Sequence, residues 1–149
     1  MPRIERSATV TWEGNVARGV GLISAGSGAF EQLPYSLPTR IGQAEGKTSP
    51  EELLAAAHGG CLSMSLASEL TTAGTPPERL EVKVLVVMDE VPGKGHLVVE
   101  SQVDISARVP GVEQARFDAA VAAAEAGCSM SALIRATATV SIESRLEAS

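Results

Sequence analysis

The chain has 149 residues and carries 18 Asp and Glu against 12 Lys and Arg, a net charge of −6. With the two signs interspersed, no basic face is available for phosphates, which argues against nucleic acid and anionic membranes as partners. Aromatic residues are 3% of a chain that is 44% apolar, so its core must be built from Ala, Val, Leu and Ile.

The opening residues, MPRIERSATV, contain charges but no apolar signal-type segment. The longest uncharged stretch, Leu53 to Ser68, is too short and too rich in Gly, Ser and His to span a membrane. The expectation is one cytoplasmic domain over residues 1–149. In that compartment, two cysteines point to reactive thiols more than to a structural bridge.

SATVTWEG alternates, with Ala8, Val10 and Trp12 on one side, and reads as a half-buried strand. Gly14 and Asn15 turn it into a second strand, VARGVGLIS. AFEQLPY fits a third, limited by Pro34, and residues 37–47 read as loop. Ser49, with Thr48 as the alternative cap, Pro50 and Glu52 then make a helix start. That helix runs to about Thr72, with Gly74 as its stop. Since no charge falls between Glu52 and Glu69, most of its circumference is expected to be buried.

EVKVLVVMDE and HLVVESQVDISARV follow as long strands joined by the hairpin VPGKG, with Leu97, Val99, Val103, Ile105, Ala107 and Val109 on one face of the second. A helix after Pro110–Gly111 runs to about Ala126 and buries Phe117, Ala120, Val121 and Ala124. Gly127 ends it, Cys128 enters a short helical turn, SMSALIR, and ATATVSIES forms the last strand. Strands and helices joined mainly by hairpins place the chain in the α+β class.

Cys61 follows two glycines inside the central helix, HGGC, where each glycine costs about 1 kcal/mol relative to alanine. The thiol fits either a buried filler or a reactive group. Cys128, just past a helix-ending glycine, is equally open to both readings. His58 lies three residues before Cys61 on the same helical face, as a packed core histidine, a base for the thiol or half of an H-x-x-C metal pair. Only one other histidine, His96, exists, which leaves a metal short of ligands. Arg40 and Glu51 read by themselves as a solvated cation and a helix-start acid.

The blocks WEGN…RG, LPYSLPTR, SPEELLAAAHGGCLSMSLASEL and VPGVEQARFDAAVAAAEAGCSMSALIRA, with the closing strand, resemble the osmotically inducible protein C (OsmC) branch of the OsmC/Ohr peroxide-reductase family over nearly the whole chain. The resemblance implies an OsmC-like domain in an intertwined homodimer, with two antiparallel-rich sheets packed around long central helices. It implies a peroxidase for organic hydroperoxides, and less well for hydrogen peroxide, that needs no cofactor or metal. A dithiol, typically a dihydrolipoyl protein, would be the reductant. Carried over by position, Cys61 matches the peroxidatic thiol, Cys128 the resolving thiol, and Arg40 with Glu51 the charged pair that prepares the thiolate. Arg18 is the fallback for the arginine, because the Ohr branch takes it from the first hairpin.

An ordinary thiol is only a few per cent ionised at neutral pH, so a guanidinium beside Cys61 would raise the nucleophile. Gly59 and Gly60 would clear room beside the sulfur for another helix or the substrate. Glu51 and Cys61 lie about 15 Å apart along one helix axis, so Glu51 would serve the Cys61 of a second copy, across antiparallel central helices. The rivals are a Cys61–His58 hydrolase and a redox sensor or small-ligand carrier whose Cys61–Cys128 bond forms without turnover.

Overall fold

The computed structural model describes residues 2–148 and divides into two compact units, with the boundary after Pro50. In the first unit, strands β1 (Ala8–Glu13), β2 (Val20–Ala25) and β3 (Leu33–Tyr35) form an antiparallel sheet in that order. Trp12 and Tyr35 both pair with Gly21, from opposite sides of β2. Their ring centroids are 5.6 Å apart, and a Cβ at Gly21 would be driven into the Tyr35 ring. The glycine is what allows an aromatic pair to lie across the strand.

Every residue of β1 is exposed, Trp12 at 38%, so the expected half-buried strand is not found in the single chain. Alternation marks two chemically different faces, but it does not supply the layer that covers one of them. Residues 37–47 are not all loop either. Ser36 caps a five-residue helix, α1 (Leu37–Ile41), by accepting from Thr39 N, and Pro38 stands in its first turn.

The second unit takes in all but the first residue of the long helix α2 (Pro50–Thr72), whose bounds match those expected. Pro50, Glu51 and Glu52 form its first turn, where a missing N–H costs nothing and carboxylates favour the dipole. Its buried residues are His58, Leu62, Leu66 and Leu70, one stripe at four-residue spacing. The burial of most of its circumference, expected from its lack of charge, is only partial: Ala56, Ala57, Gly60, Met64 and Ser68 are exposed.

Strands β4 (Arg79–Val91) and β5 (Gly95–Arg108) pair antiparallel, and β6 (Thr139–Leu146) pairs parallel with β5. A parallel neighbour requires a crossover, made here by the two expected helices, α3 (Gln114–Gly127) and α4 (Ser129–Arg135), although no regular crossover had been expected. The core joins Leu62, Leu66 and Leu70 to Val103, Ile105 and Ala107 of β5 and to Phe117, Val121 and Ala124 of α3. Each fully buried leucine here contributes roughly 1.5–3 kcal/mol.

Two expectations along the strands fail for local reasons. The β4–β5 pairing slips, Val87 opposing Glu100 and Met88 opposing Val98, which leaves Val99 as the extra residue. The slip leaves Leu97 at 42% exposure and sets Val98 in an apolar hollow with Leu54 and Ile134. Ala136 lies outside β6, because it caps α4.

Candidate functional site

The 14-residue helix α3 and the short α4 meet at a bend of 68°, and Cys128 occupies the corner. It is buried, 1% exposed, and its Sγ accepts a hydrogen bond from Ser131 N at 3.4 Å. The sulfur thereby does for α4 what a serine hydroxyl does at an ordinary helix start.

Cys61 reaches this same turn from α2. Its Sγ lies 3.6 Å from Ser129 Oγ, and the side chain is partly exposed. Burial pushes the Cys61 thiol up. Against this, hydrogen bonding from the Met130 backbone, the Cys128 thiol and the Ser129 hydroxyl and backbone favours the thiolate. The donors prevail, and the group titrates below the ordinary thiol value of 9.0. Within the single chain, the groups that lower the thiol are thus Cys128 and the first residues of α4, Ser129 and Met130. A thiol so placed is more nucleophilic at neutral pH than a free one.

His58 is fully buried and makes two short hydrogen bonds, Nδ1 to Ser101 Oγ at 2.7 Å and Nε2 to Ser131 Oγ at 2.7 Å. Both ring nitrogens are thus committed away from Cys61, which removes the general base that a hydrolase would need. Ser101 and Ser131 are sequence signals that went unread. Ser101 occupies the inward side of β5 in line with Val103 and Ile105, where a hydroxyl requires a buried partner.

Desolvation holds His58 below 6.5; Glu125 raises its pKa and Arg135 lowers it, each by a smaller amount. The ring is therefore neutral in the folded chain where the unfolded chain would already take up a proton. The unfolded state binds more protons, so this residue lowers stability as pH falls below about 6.5. Urea midpoints measured from pH 7.5 down to 5 should drop more steeply for the wild type than for His58→Gln. Parallel profiles would show that the ring titrates normally.

Gly59 faces β4: a Cβ there would lie 3.2 Å from Val84 Cγ2. Close approach by a strand thus explains one of the two glycines before Cys61. Gly60 has open space around its Cβ direction. Glu51, ten residues before Cys61 on α2, lies about 15 Å from it along the axis.

Arg40 belongs to the first unit. It stands in the last turn of α1 and edges a hollow of about 180 Å³ with Trp12, Val16, Tyr35 and Leu37. Arg18, exposed in the β1–β2 connection, donates its backbone N–H to Asn15 Oδ1 at 2.9 Å. Among the described residues no three His, Cys, Asp or Glu side chains gather where they could hold a metal ion. Nor is any single helix there long and apolar enough to cross a membrane.

The family model for OsmC-like protein matches residues 42–143. The chain is 35% identical over 137 residues to peroxiredoxin OsmC of Escherichia coli strain K12, covering 92% of this chain and 94% of that one. In fold it is similar to an organic hydroperoxide resistance protein OsmC from Legionella pneumophila, with a TM-score of 0.72, 23% identity and coverage of 98% of this chain and 100% of that one. Similarity extends to the organic hydroperoxide resistance protein OhrB of Bacillus subtilis, with a TM-score of 0.70, 22% identity and coverage of 93% and 98%. The two cysteine-bearing segments, α2 and the α3–α4 corner, both fall inside the matched region, and the chain belongs to the OsmC-like protein family.

Proposed function

We propose that this protein is a thiol peroxidase that reduces organic hydroperoxides, and hydrogen peroxide less well, through Cys61 and Cys128. One observation carries the reading: a partly exposed thiol with a lowered pKa lies 3.6 Å from Ser129, beside the helix corner in which the second thiol is buried. The Cys61 thiolate attacks one peroxide oxygen and the O–O bond breaks. That oxygen stays on sulfur as sulfenic acid, and the alkoxide leaves as the alcohol after taking a proton. Cys128 then attacks the Cys61 sulfur, forming the disulfide and releasing water. An external dithiol returns both cysteines to thiols and is itself oxidised. A dihydrolipoyl group fits that role, in the cytoplasm.

Arg40 and Glu51 complete the site in this reading. The guanidinium, at the rim of an apolar hollow, meets the peroxide oxygens as negative charge builds on them, and the carboxylate holds it by a bidentate pair. Glu51 is too far along α2 to serve its own Cys61, which supports a homodimer in which each copy completes the other's site. The exposed apolar residues Val10, Trp12, Met64 and Leu133 support it too.

The open face of α2 supplies a test of assembly. Gly60→Ala favours the helix by about 0.5–1 kcal/mol, and the methyl has open space in the single chain. If a second α2 packs on this face, the methyl weakens the dimer, and sedimentation should show dissociation at higher protein concentration than for the wild type. A wild type that sediments as an active monomer excludes the shared site.

The activity itself is tested by steady-state consumption of tert-butyl hydroperoxide with dihydrolipoamide or glutathione as reductant. Continuous turnover with the dithiol is expected. One equivalent of peroxide consumed per chain, and no more, would make the protein a sensor.

A further inference from the structure

The proposed cycle uses two sulfurs, and neither it nor the family match gives a task to the fully buried His58. Three observations converge on it. First, α4 has seven residues, too few to hold a helical form by itself, yet its first turn and its cap, Cys128, supply the hydrogen bonds that lower the Cys61 thiol. Second, Ser131, whose N–H bonds Cys128 Sγ, is the residue that His58 grips through Nε2. Third, the other side of the ring is fixed by Ser101 on β5, and all three residues are completely buried. At the far end of α4, Arg135 donates to Glu125 O and pairs with its carboxylate at 3.5 Å, but this pair is partly exposed. The buried anchor of the turn is the ring. His58 and Cys61 are one helical turn apart on α2, so one rigid element carries both the attacking sulfur and the group that fixes what faces it.

Resting on the peroxidase reading, we propose that His58 is a positioning residue for the resolving step. By bonding Ser131 it holds the first turn of α4 in register, so that Cys128 Sγ stays within reach of the Cys61 sulfenic acid. Two fates compete for that intermediate. Attack by Cys128 gives the disulfide and water; attack on a second hydroperoxide gives sulfinic acid and an alcohol. A turn that wanders loses the first race, since a misplacement of about 1 Å can cost a hundredfold.

Asparagine and glutamine separate the two bonds of the ring. The Asn amide nitrogen overlays Nδ1 and can meet Ser101 alone, whereas the Gln amide reaches the Nε2 position and can meet Ser131. Stopped-flow oxidation with tert-butyl hydroperoxide, followed by mass spectrometry, reads disulfide against sulfinic acid. His58→Asn should resolve roughly ten- to a hundredfold more slowly and over-oxidise at correspondingly lower peroxide, while His58→Gln stays within about threefold of wild type.

Ser131→Ala, which retains the N–H to Cys128 but loses the hydroxyl, should match His58→Asn, and it replaces that variant if the latter does not fold. In the slow variants the thiolate absorbance of Cys61 should also appear at higher pH, a change that lower stability alone does not produce. Disulfide formation at the wild-type rate in folded His58→Asn and Ser131→Ala would overturn the proposal. Equal slowing in the Asn and Gln variants would do the same, by assigning the effect to the ring's bulk. A wild type whose Cys61 fails to react with the peroxide defeats the peroxidase reading instead.

Discussion

Cys61→Ser should reduce consumption of tert-butyl hydroperoxide to the background given by dihydrolipoamide alone. The expected loss is roughly three orders of magnitude or more, in keeping with removal of a covalent nucleophile. A serine hydroxyl at this position keeps the bond to Ser129 but stays protonated at neutral pH, so the donors of α4 have no anion to stabilise. Cys128→Ser separates the two halves of the chemistry. Its Cys61 should still react with one equivalent of peroxide, since the backbone donors from Ser129 and Met130 remain. The sulfenic acid then persists, is trapped by dimedone, and turns over only as fast as external thiol attacks it. A Cys61→Ser protein that retains more than about a tenth of wild-type turnover would mean that another group does the chemistry.

The second large effect is on stability. His58→Leu replaces the imidazole by a side chain of similar size, so little cavity opens, but it leaves the Ser101 and Ser131 hydroxyls buried without the partners seen here at 2.7 Å. Each orphaned group costs about 1–3 kcal/mol, so the loss should be about 2–6 kcal/mol, a large share of a typical domain's stability. Denaturant unfolding should show a lower midpoint at unchanged slope. A loss under about 1 kcal/mol would mean that water or a rearranged hydroxyl replaces the ring.

The parts legible in the sequence were those governed by local chemistry. Pro50 and two carboxylates mark the start of α2, and Gly127 followed by Cys128 marks the corner between α3 and α4. The meeting of the two thiols followed from the resemblance, not from spacing. What was missed depends on relations between distant segments. Nothing near Val99 indicates that β4 and β5 slip there, so Leu97 looked like core by parity alone. The parallel pairing of β6 with β5 is invisible to alternation, which is the same for either direction. Ser101 and Ser131 looked unremarkable separately, 30 positions apart, and gain meaning only when one imidazole touches both. The hydrogen bonds that lower the thiol pKa escaped for a similar reason: they come from a corner that exists only in the folded chain.

The direction of β6 also bears on how the chain folds. Each β5–β6 partner pair, from Glu100–Thr139 to Ala107–Leu146, is separated by 39 residues, whereas β4 and β5 meet through a tight hairpin. Long-range pairings pay their loop-closure entropy before any contact repays it, and they tend to form late. During synthesis, the hairpin and α2 can assemble while the last strand is still unmade. The edge of β5 then stays open until the final eight strand residues emerge, at a stage when both sulfurs are already present in the nascent chain.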